Sequence, residues 1–245
     1  MTRAQTWRNY LLGSANTIHF LREYSVGIQT VSKYYDDIHN DIKRTYPSYD
    51  FFNDHISDLS EILNSYAYVN TGMGYAQGMA FIAFILFKIY YEDDPLYATE
   101  DTFYSLHNII QVIRPAYPLN ERDKIVLKFN ENIASSVILI ISKKNKELAI
   151  KVKELDIMGI FITQNIPSLF GTKFNIEDTC ILWDFIINNN KHYDMFHRIL
   201  CILAGMILSI KPVILTMSYE SVLSIMQNRG CYKVRRVIAL AHSVL

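Results

Sequence analysis

Leu59-Ser60-Glu61-Ile62-Leu63-Asn64-Ser65-Tyr66-Ala67-Tyr68-Val69 runs straight into Asn70-Thr71-Gly72-Met73-Gly74-Tyr75-Ala76-Gln77-Gly78-Met79, and this stretch decides the fold class. Leu59, Ile62, Leu63, Tyr66 and Val69 recur at the i, i+3, i+4, i+7 spacing that lines one face of a helix. Gly72 and Gly74 then end it in a turn at Asn70 to Gly74. A second helix is predicted to start near Gln77 and to run through Met79, Ile82, Ile85, Leu86 and Ile89. Nothing alternates with period two over enough residues to require a sheet, although the β-branched and aromatic content leaves room for a short hairpin. The expected class is all-α.

Outward from this stretch, only nine glycines and six prolines interrupt 245 residues, and the segments between them keep helical periodicity. The clearest break is Arg114-Pro115-Ala116-Tyr117-Pro118-Leu119-Asn120, whose prolines cannot occupy a helix interior. A single domain over 1–245 is therefore expected, with an N-terminal lobe of about 1–120 and a C-terminal lobe of about 121–245. The second lobe would hold Ile133 to Ile141, the basic stretch Lys143 to Lys153, a helix around Ile181 to Phe185 and another from Phe196 to Ile210. The chain contains neither an internal repeat nor a low-complexity tract.

Half the residues are apolar and 13% aromatic, enough to fill a sizeable core. Lys plus Arg and Asp plus Glu both total 24, so no net field draws nucleic acid or an anionic membrane. Cys180, Cys201 and Cys231 lack CxxC spacing and lie in or beside apolar stretches, which predicts reduced, buried thiols and a cytoplasmic location. The first residues contain no apolar signal region. The longest apolar run, Ile199 to Ile210, is shorter than the ~20 residues of a bilayer span, so no transmembrane segment is expected.

Two short runs carry the candidate chemistry. In Ile38-x-x-Asp41-x-x-Arg44-Thr45-Tyr46-Pro47, Asp41 and Arg44 share a helix face and can pair. Spacing alone reads this as a surface ion pair worth a few tenths of a kcal/mol. The context adds a buried anchor at Ile38, a forced exit at Pro47 and an apolar tether at Phe51-Phe52, so Arg44 can project while its backbone is held. In Gly74-Tyr75-Ala76-Gln77-Gly78-Met79 the glycines permit sharp turning or close approach, and Gln77 can present both an amide donor and an amide acceptor. Taken alone, this segment reads equally as a helix cap with Tyr75 in the core. An arginine and a glutamine are the side chains needed around a phosphoryl group in transfer to water. No Gly-x-x-x-x-Gly-Lys-Ser/Thr loop accompanies them, which points to a nucleotide held by another protein.

In order along the chain, four segments resemble the successive motifs of the TBC domain, the helical domain of Rab GTPase-activating proteins. Arg3-x-x-x-Trp7-x-x-x-Leu11-Leu12-Gly13 is similar to its opening motif, Ile38-x-x-Asp41-x-x-Arg44 to its arginine-finger motif, Tyr75-x-Gln77-Gly78-Met79 to its glutamine-finger motif, and Leu182-Trp183-Asp184 to a later signature. The resemblance spans nearly the whole chain and implies a two-lobed helical fold. It implies that Arg44 neutralises charge on the phosphoryl oxygens while Gln77 orients the attacking water, with Asp41 and Tyr75 supporting them and Arg3 and Trp7 structural. It also implies a partner, a Rab-family small GTPase in its GTP-bound form, which carries the GTP and Mg²⁺. The domain would then be a GTPase activator with no nucleotide site, cofactor or metal of its own, acting in vesicle traffic and peripheral at endomembranes through its partner.

The sequence departs from the family pattern in places. No Gly-Ile-Pro-like segment precedes the opening motif, Thr71-Gly72 stands where proline is frequent, Ala80 follows Met79, and Met158-Gly159-Ile160-Phe161 stands where many members carry tryptophan. None of these removes a finger. Two rival readings come from other classes. A catalytically silent module would bind a small GTPase without accelerating it. A class I isoprenoid synthase would hold Mg²⁺-diphosphate, since Asp36-Asp37-x-x-x-Asp41 and Asn53-Asp54-x-x-Ser57-x-x-x-Glu61 resemble its metal motifs. Against the synthase, those motifs lie too close along the chain to face one another, and hard cations need several convergent oxygens. His192 and His197, five apart, do not share a helix face, so zinc is not expected. The lysines at 143, 144 and 146 read as a solvated helix end.

Overall fold

The computed structural model describes residues 1–13, 31–117, 123–188 and 193–245, the side chains of 123–127 and 229 excepted. Pro118, Leu119, Asn120 and His192 lie outside the described residues. Those described form helices and turns with no strand, so the fold is all-α and the hairpin left open by the sequence is absent among them. Contacts group the chain into two compact units, Met1–Arg114 with Pro167–Leu169, and Pro115–Ile166 with Phe170–Leu245.

The first unit opens with α1 (Arg3–Leu11), started by a reciprocal cap. Thr2 Oγ1 accepts from the Gln5 amide at 3.2 Å, and Gln5 Oε1 accepts from the Thr2 amide at 3.1 Å, so two donors of the first turn are satisfied at once. There follow α2 (Tyr35–Arg44), α3 (Asp50–Asp54), α4 (Ile56–Val69), α5 (Met79–Asp93) and α6 (Ala98–Ile113). α4 packs on α2, α5 and α6 through Leu59, Ile62, Leu63 and Tyr66, all buried; Val69, at the end of the stripe, is half-buried.

α5 behaves differently from α4. Every residue from Met79 to Phe87 is buried, so this part of the helix is apolar all round and lies inside the unit, while Glu92 and Asp93 at its end are exposed. The expected start near Gln77 moves two residues on, because Gly78 adopts φ +105° and only then does the helical backbone begin. Phe52 meets Phe84 nearly edge-on with ring centres 5.0 Å apart, and Tyr46 lies 5.2 Å from Phe81. Those contacts hold the exit from α2, where Tyr46 takes a left-handed φ of +48° ahead of Pro47.

The second unit contains α7 (Asp123–Lys144), α8 (Lys146–Leu155), α9 (Met158–Asn165), α10 (Ile176–Ile186), α11 (Met195–Ser209), α12 (Lys211–Thr216), α13 (Tyr219–Gln227) and α14 (Val234–His242). The apolar run from Ile199 is the buried body of α11, which packs most extensively on α14. A Cβ on Gly205 would stand 2.6 Å from the Val237 carbonyl oxygen, so only glycine permits that approach. Asn145, Asn175, Asp194 and Ser218 each cap the helix that follows with a side-chain oxygen. Buried Arg198 donates through Nη1 to the carbonyls of Ile186 at 3.2 Å and Asn188 at 2.6 Å, satisfying the end of α10. Cys180 and Cys201 are buried free thiols, but Cys231 is half-exposed at a short 3-10 turn, Arg229–Cys231, which corrects the expectation that all three are buried.

Candidate functional site

Asp41 is placed by its neighbours on α2. Ile38 and Ile42 are both fully buried, and they turn the intervening carboxylate inward until only 2% of Asp41 is exposed. The ion pair with Arg44 is therefore not the surface pair that spacing alone suggested. Asp41 Oδ1 accepts from Arg44 Nε–H at 2.8 Å. Oδ2 accepts from the Tyr75 hydroxyl, in a short contact, and from the Gly78 amide at 3.3 Å. A carboxylate removed from water is costly unless donors replace its hydration, and three donors do so here.

Arg44 closes α2 and leaves the core. Its side chain is 60% exposed, and among the described residues only Nε is hydrogen-bonded, so both terminal amino groups are free to donate. Thr45, fully buried, closes the helix behind it, with Oγ1 donating to the Asp41 carbonyl at 2.8 Å. Arg44 thus stands on a fixed base.

The glycine turn supplies the second group. Met73 and Gly74 amides both donate to the Asn70 carbonyl, at 2.9 and 2.7 Å, and Gly74 takes φ +64°. Tyr75 is buried with its hydroxyl on Asp41, so it is at once a core residue and a support of the turn. Gln77 is exposed, and its carboxamide makes no hydrogen bond to the described residues. The reading of Gln77 as a cap fails, since α5 has no side-chain cap. Following the bonds from Arg44 Nε through the carboxylate to the Gln77 Cα gives roughly 11 Å as the upper limit of their separation.

The structure thus brings Arg44, Gln77, Asp41, Tyr75, Gly78 and Ile38 together within the first unit. Arg3 and Trp7 lie apart from that cluster on α1, the Arg3 guanidinium 6.0 Å from the centre of the buried Trp7 ring. Trp183, fully buried, and Asp184, exposed, sit on α10 in the second unit. Asp36, Asp37 and Asp54 are exposed, and both oxygens of Asp41 are engaged by protein donors. Among the described residues no group of three His, Cys, Asp or Glu side chains could hold a metal ion.

Sequence reasoning missed two other parts. A Cβ on Gly78 would stand 2.7 Å from the Pro167 carbonyl oxygen, so a segment far along the chain backs the turn. Tyr34, just before α2, lies against Gly74 in the same way. The glycines themselves were the available signal, since each marks a close approach whose partner the sequence does not name.

Comparison with known proteins follows the same outline. The Ypt/Rab-GAP domain of Gyp1p superposes with a TM-score of 0.79 at 14% identity, covering 99% of this chain and 86% of that one. The TBC domain of a Chlamydomonas flagellar RabGAP gives 0.68 at 17% identity, covering 99% and 78%. At such identities the likeness is one of fold. A Caenorhabditis elegans protein, Rab GTPase-activating protein eat-17, is 37% identical over 87 residues, which is 34% of this chain and 10% of the length of that relative. The model of the Rab-GTPase-TBC domain matches residues 3–215. With the match running from the start of α1 into α12, the chain belongs to the Rab-GTPase-TBC domain family.

Proposed function

We propose that this domain accelerates GTP hydrolysis on a Rab-type small GTPase in its GTP-bound form, with Arg44 and Gln77 as the groups it supplies in trans. The observation that carries the reading is the Asp41 carboxylate, which accepts from Arg44 on one oxygen and from both flanks of Gln77 on the other. A planar guanidinium with its terminal N–H groups free suits phosphoryl oxygens. The free carboxamide of Gln77 can accept from the attacking water through its oxygen and donate through its nitrogen. The partner contributes the nucleotide and Mg²⁺; this chain contributes position and charge.

An arginine supplied in trans is worth about 10³ to 10⁵ in rate, or roughly 4 to 7 kcal/mol of barrier. Single-turnover hydrolysis across a panel of GTP-loaded Rabs tests the proposal. At least one Rab should respond, and Arg44→Ala should remove most of the acceleration, with Gln77→Ala also reducing it. A panel that binds without faster hydrolysis would replace the activator by a binding module. No described helix is long and apolar enough to cross a membrane, and the proposed Rab partner is itself a route to one.

A further inference from the structure

Gln77 sits between two glycines, and each is gripped from outside its own motif. At Gly78 the grip is the backbone of Pro167 and Ser168, whose carbonyl oxygen and amide nitrogen would stand 2.7 and 3.2 Å from an added Cβ. At Gly74 it is the ring of Tyr34. An added Cβ there would lie 2.3 Å from Tyr34 Cε2 and 2.4 Å from Cζ and the hydroxyl oxygen, so the phenol rests directly on the glycine backbone. Gly74 holds φ +64°, a conformation that a residue with a side chain rarely adopts.

The backbone of Tyr34 is in turn tied to two helices. The Ile38 amide donates to the Tyr34 carbonyl at 2.9 Å, joining Tyr34 to the first turn of α2. On its other side the Tyr34 amide donates to Ser32 Oγ at 3.3 Å, and the Ser32 amide donates to Asn64 Oδ1 of α4 at 2.7 Å. α2 carries Asp41 and Arg44, and α4 runs into the glycine turn. Tyr34 therefore bridges the helix that bears the arginine and the turn that bears the glutamine.

We infer that Tyr34 is a positioning residue for Gln77, its ring seated on Gly74 so that the turn keeps the conformation that presents the carboxamide. The catalytic consequence rests on the proposed activity; the grip on the turn does not. Two measurements separate them. In single-turnover assays on a Rab that the unaltered domain stimulates, Tyr34→Ala should lower the maximal rate about 10- to 100-fold, the cost of a small misplacement, with the half-saturating concentration unchanged. In the free protein, amide hydrogen exchange at Gly74 to Gly78 should speed up in the same variant.

Tyr34→Phe keeps the ring and should match the unaltered domain in both measurements. Gly74→Ala should slow the maximal rate, and combining it with Tyr34→Ala should cost less than the product of the two losses, because both break one contact. Three results would overturn the inference: unchanged exchange across the turn in Tyr34→Ala, a loss of affinity at full maximal rate, or a Tyr34→Phe variant as slow as Tyr34→Ala. If no Rab responds to the unaltered domain, the proposed activity falls, while the exchange measurement still decides whether Tyr34 holds the turn.

Discussion

Replacing Asp41 with Asn tests the centre of the site with almost no change of volume. The amide has one accepting oxygen and one donating NH₂, whereas the carboxylate accepts on both sides. Whichever way it turns, a donor faces a donor. The Tyr75 and Gly78 side is buried, while Arg44 is 60% exposed and can recover water. The oxygen should therefore turn toward Tyr75 and Gly78, leaving the NH₂ against Arg44 Nε. Those retained bonds lose their ionic character, and hydrogen bonds to charged groups are worth about 1.5 to 3 kcal/mol against about 1 for neutral ones. The exposed Arg44 pair adds little after solvent screening.

The expected loss is about 2 kcal/mol, which lowers Tm by roughly 4 to 8 °C for a domain of this size. The rate effect should be larger in proportion. Arg44 keeps its charge but loses its strut, so stimulated hydrolysis should fall about 100-fold, less than the 10³ to 10⁵ expected from removing the arginine. Thermal unfolding and single-turnover hydrolysis on the same preparations give both numbers. In the double variant with Arg44→Ala, the rate should equal that of Arg44→Ala alone. A variant that melts earlier yet stimulates at the full rate would refute the strut argument, as would two rate losses that simply multiply.

Other outcomes follow from single positions. Gly78→Ala should cost about 2 kcal/mol or more, because φ is +105° and the new methyl would meet the Pro167 carbonyl, a backbone atom that cannot rotate away. Gly159→Ala is its control: nothing lies within 4 Å of a Cβ there, and helix propensity predicts a gain of up to about 1 kcal/mol. Urea midpoints that do not separate in those directions would show the steric argument to be wrong. Burial pushes the Cys201 thiol up to about 11 from an ordinary 9.0, so at pH 8 it should resist a disulfide reagent until the protein unfolds, while half-exposed Cys231 reacts first. The unfolded Cys201 thiol ionises earlier, so its contribution is intact below about pH 9 and lost as pH rises toward 11. Equal labelling rates at Cys201 and Cys231 in the native protein would contradict this.

The legible parts of the fold were those written in local pattern. The apolar spacing from Leu59 to Tyr66 identifies α4 because one face of it is buried, and Asn70 to Gly74 ends it because Gly74 needs a left-handed φ. α5 is harder to bound, since its first nine residues are buried on every side and show no polar face to mark its phase, and its start depends on the φ of Gly78. Asp41 and Arg44 show the limit most clearly. A three-residue spacing is the same on a surface helix and over a core, so burial of Asp41 had to come from Ile38 and Ile42 meeting the rest of the unit. Periodicity carries no information about Arg44 and Gln77, thirty-three positions apart; their chemistry and the family resemblance suggest that pairing. Tyr34 and Pro167 were invisible, because a glycine records that something approaches closely without recording what.

Asp41 also shows why stability and chemistry at this site belong to different sides of one group. A buried carboxylate is a poor way to hold a helical core together, since apolar replacements of similar volume are often at least as stable. What it can do is accept several donors at fixed angles. Tyr75 and Gly78 occupy its inner oxygen and lock the turn, and that side resists exchange with water because it is buried. Arg44 occupies the outer oxygen through Nε alone, which fixes the root of the guanidinium and leaves its side chain 60% exposed. Two side chains, one closing a helix and the other in a turn, thereby acquire a common reference atom pair. If either could drift, a bound partner would have to order both at the expense of its own binding energy. A domain that must act on another protein's nucleotide gains most from meeting it with that ordering already done.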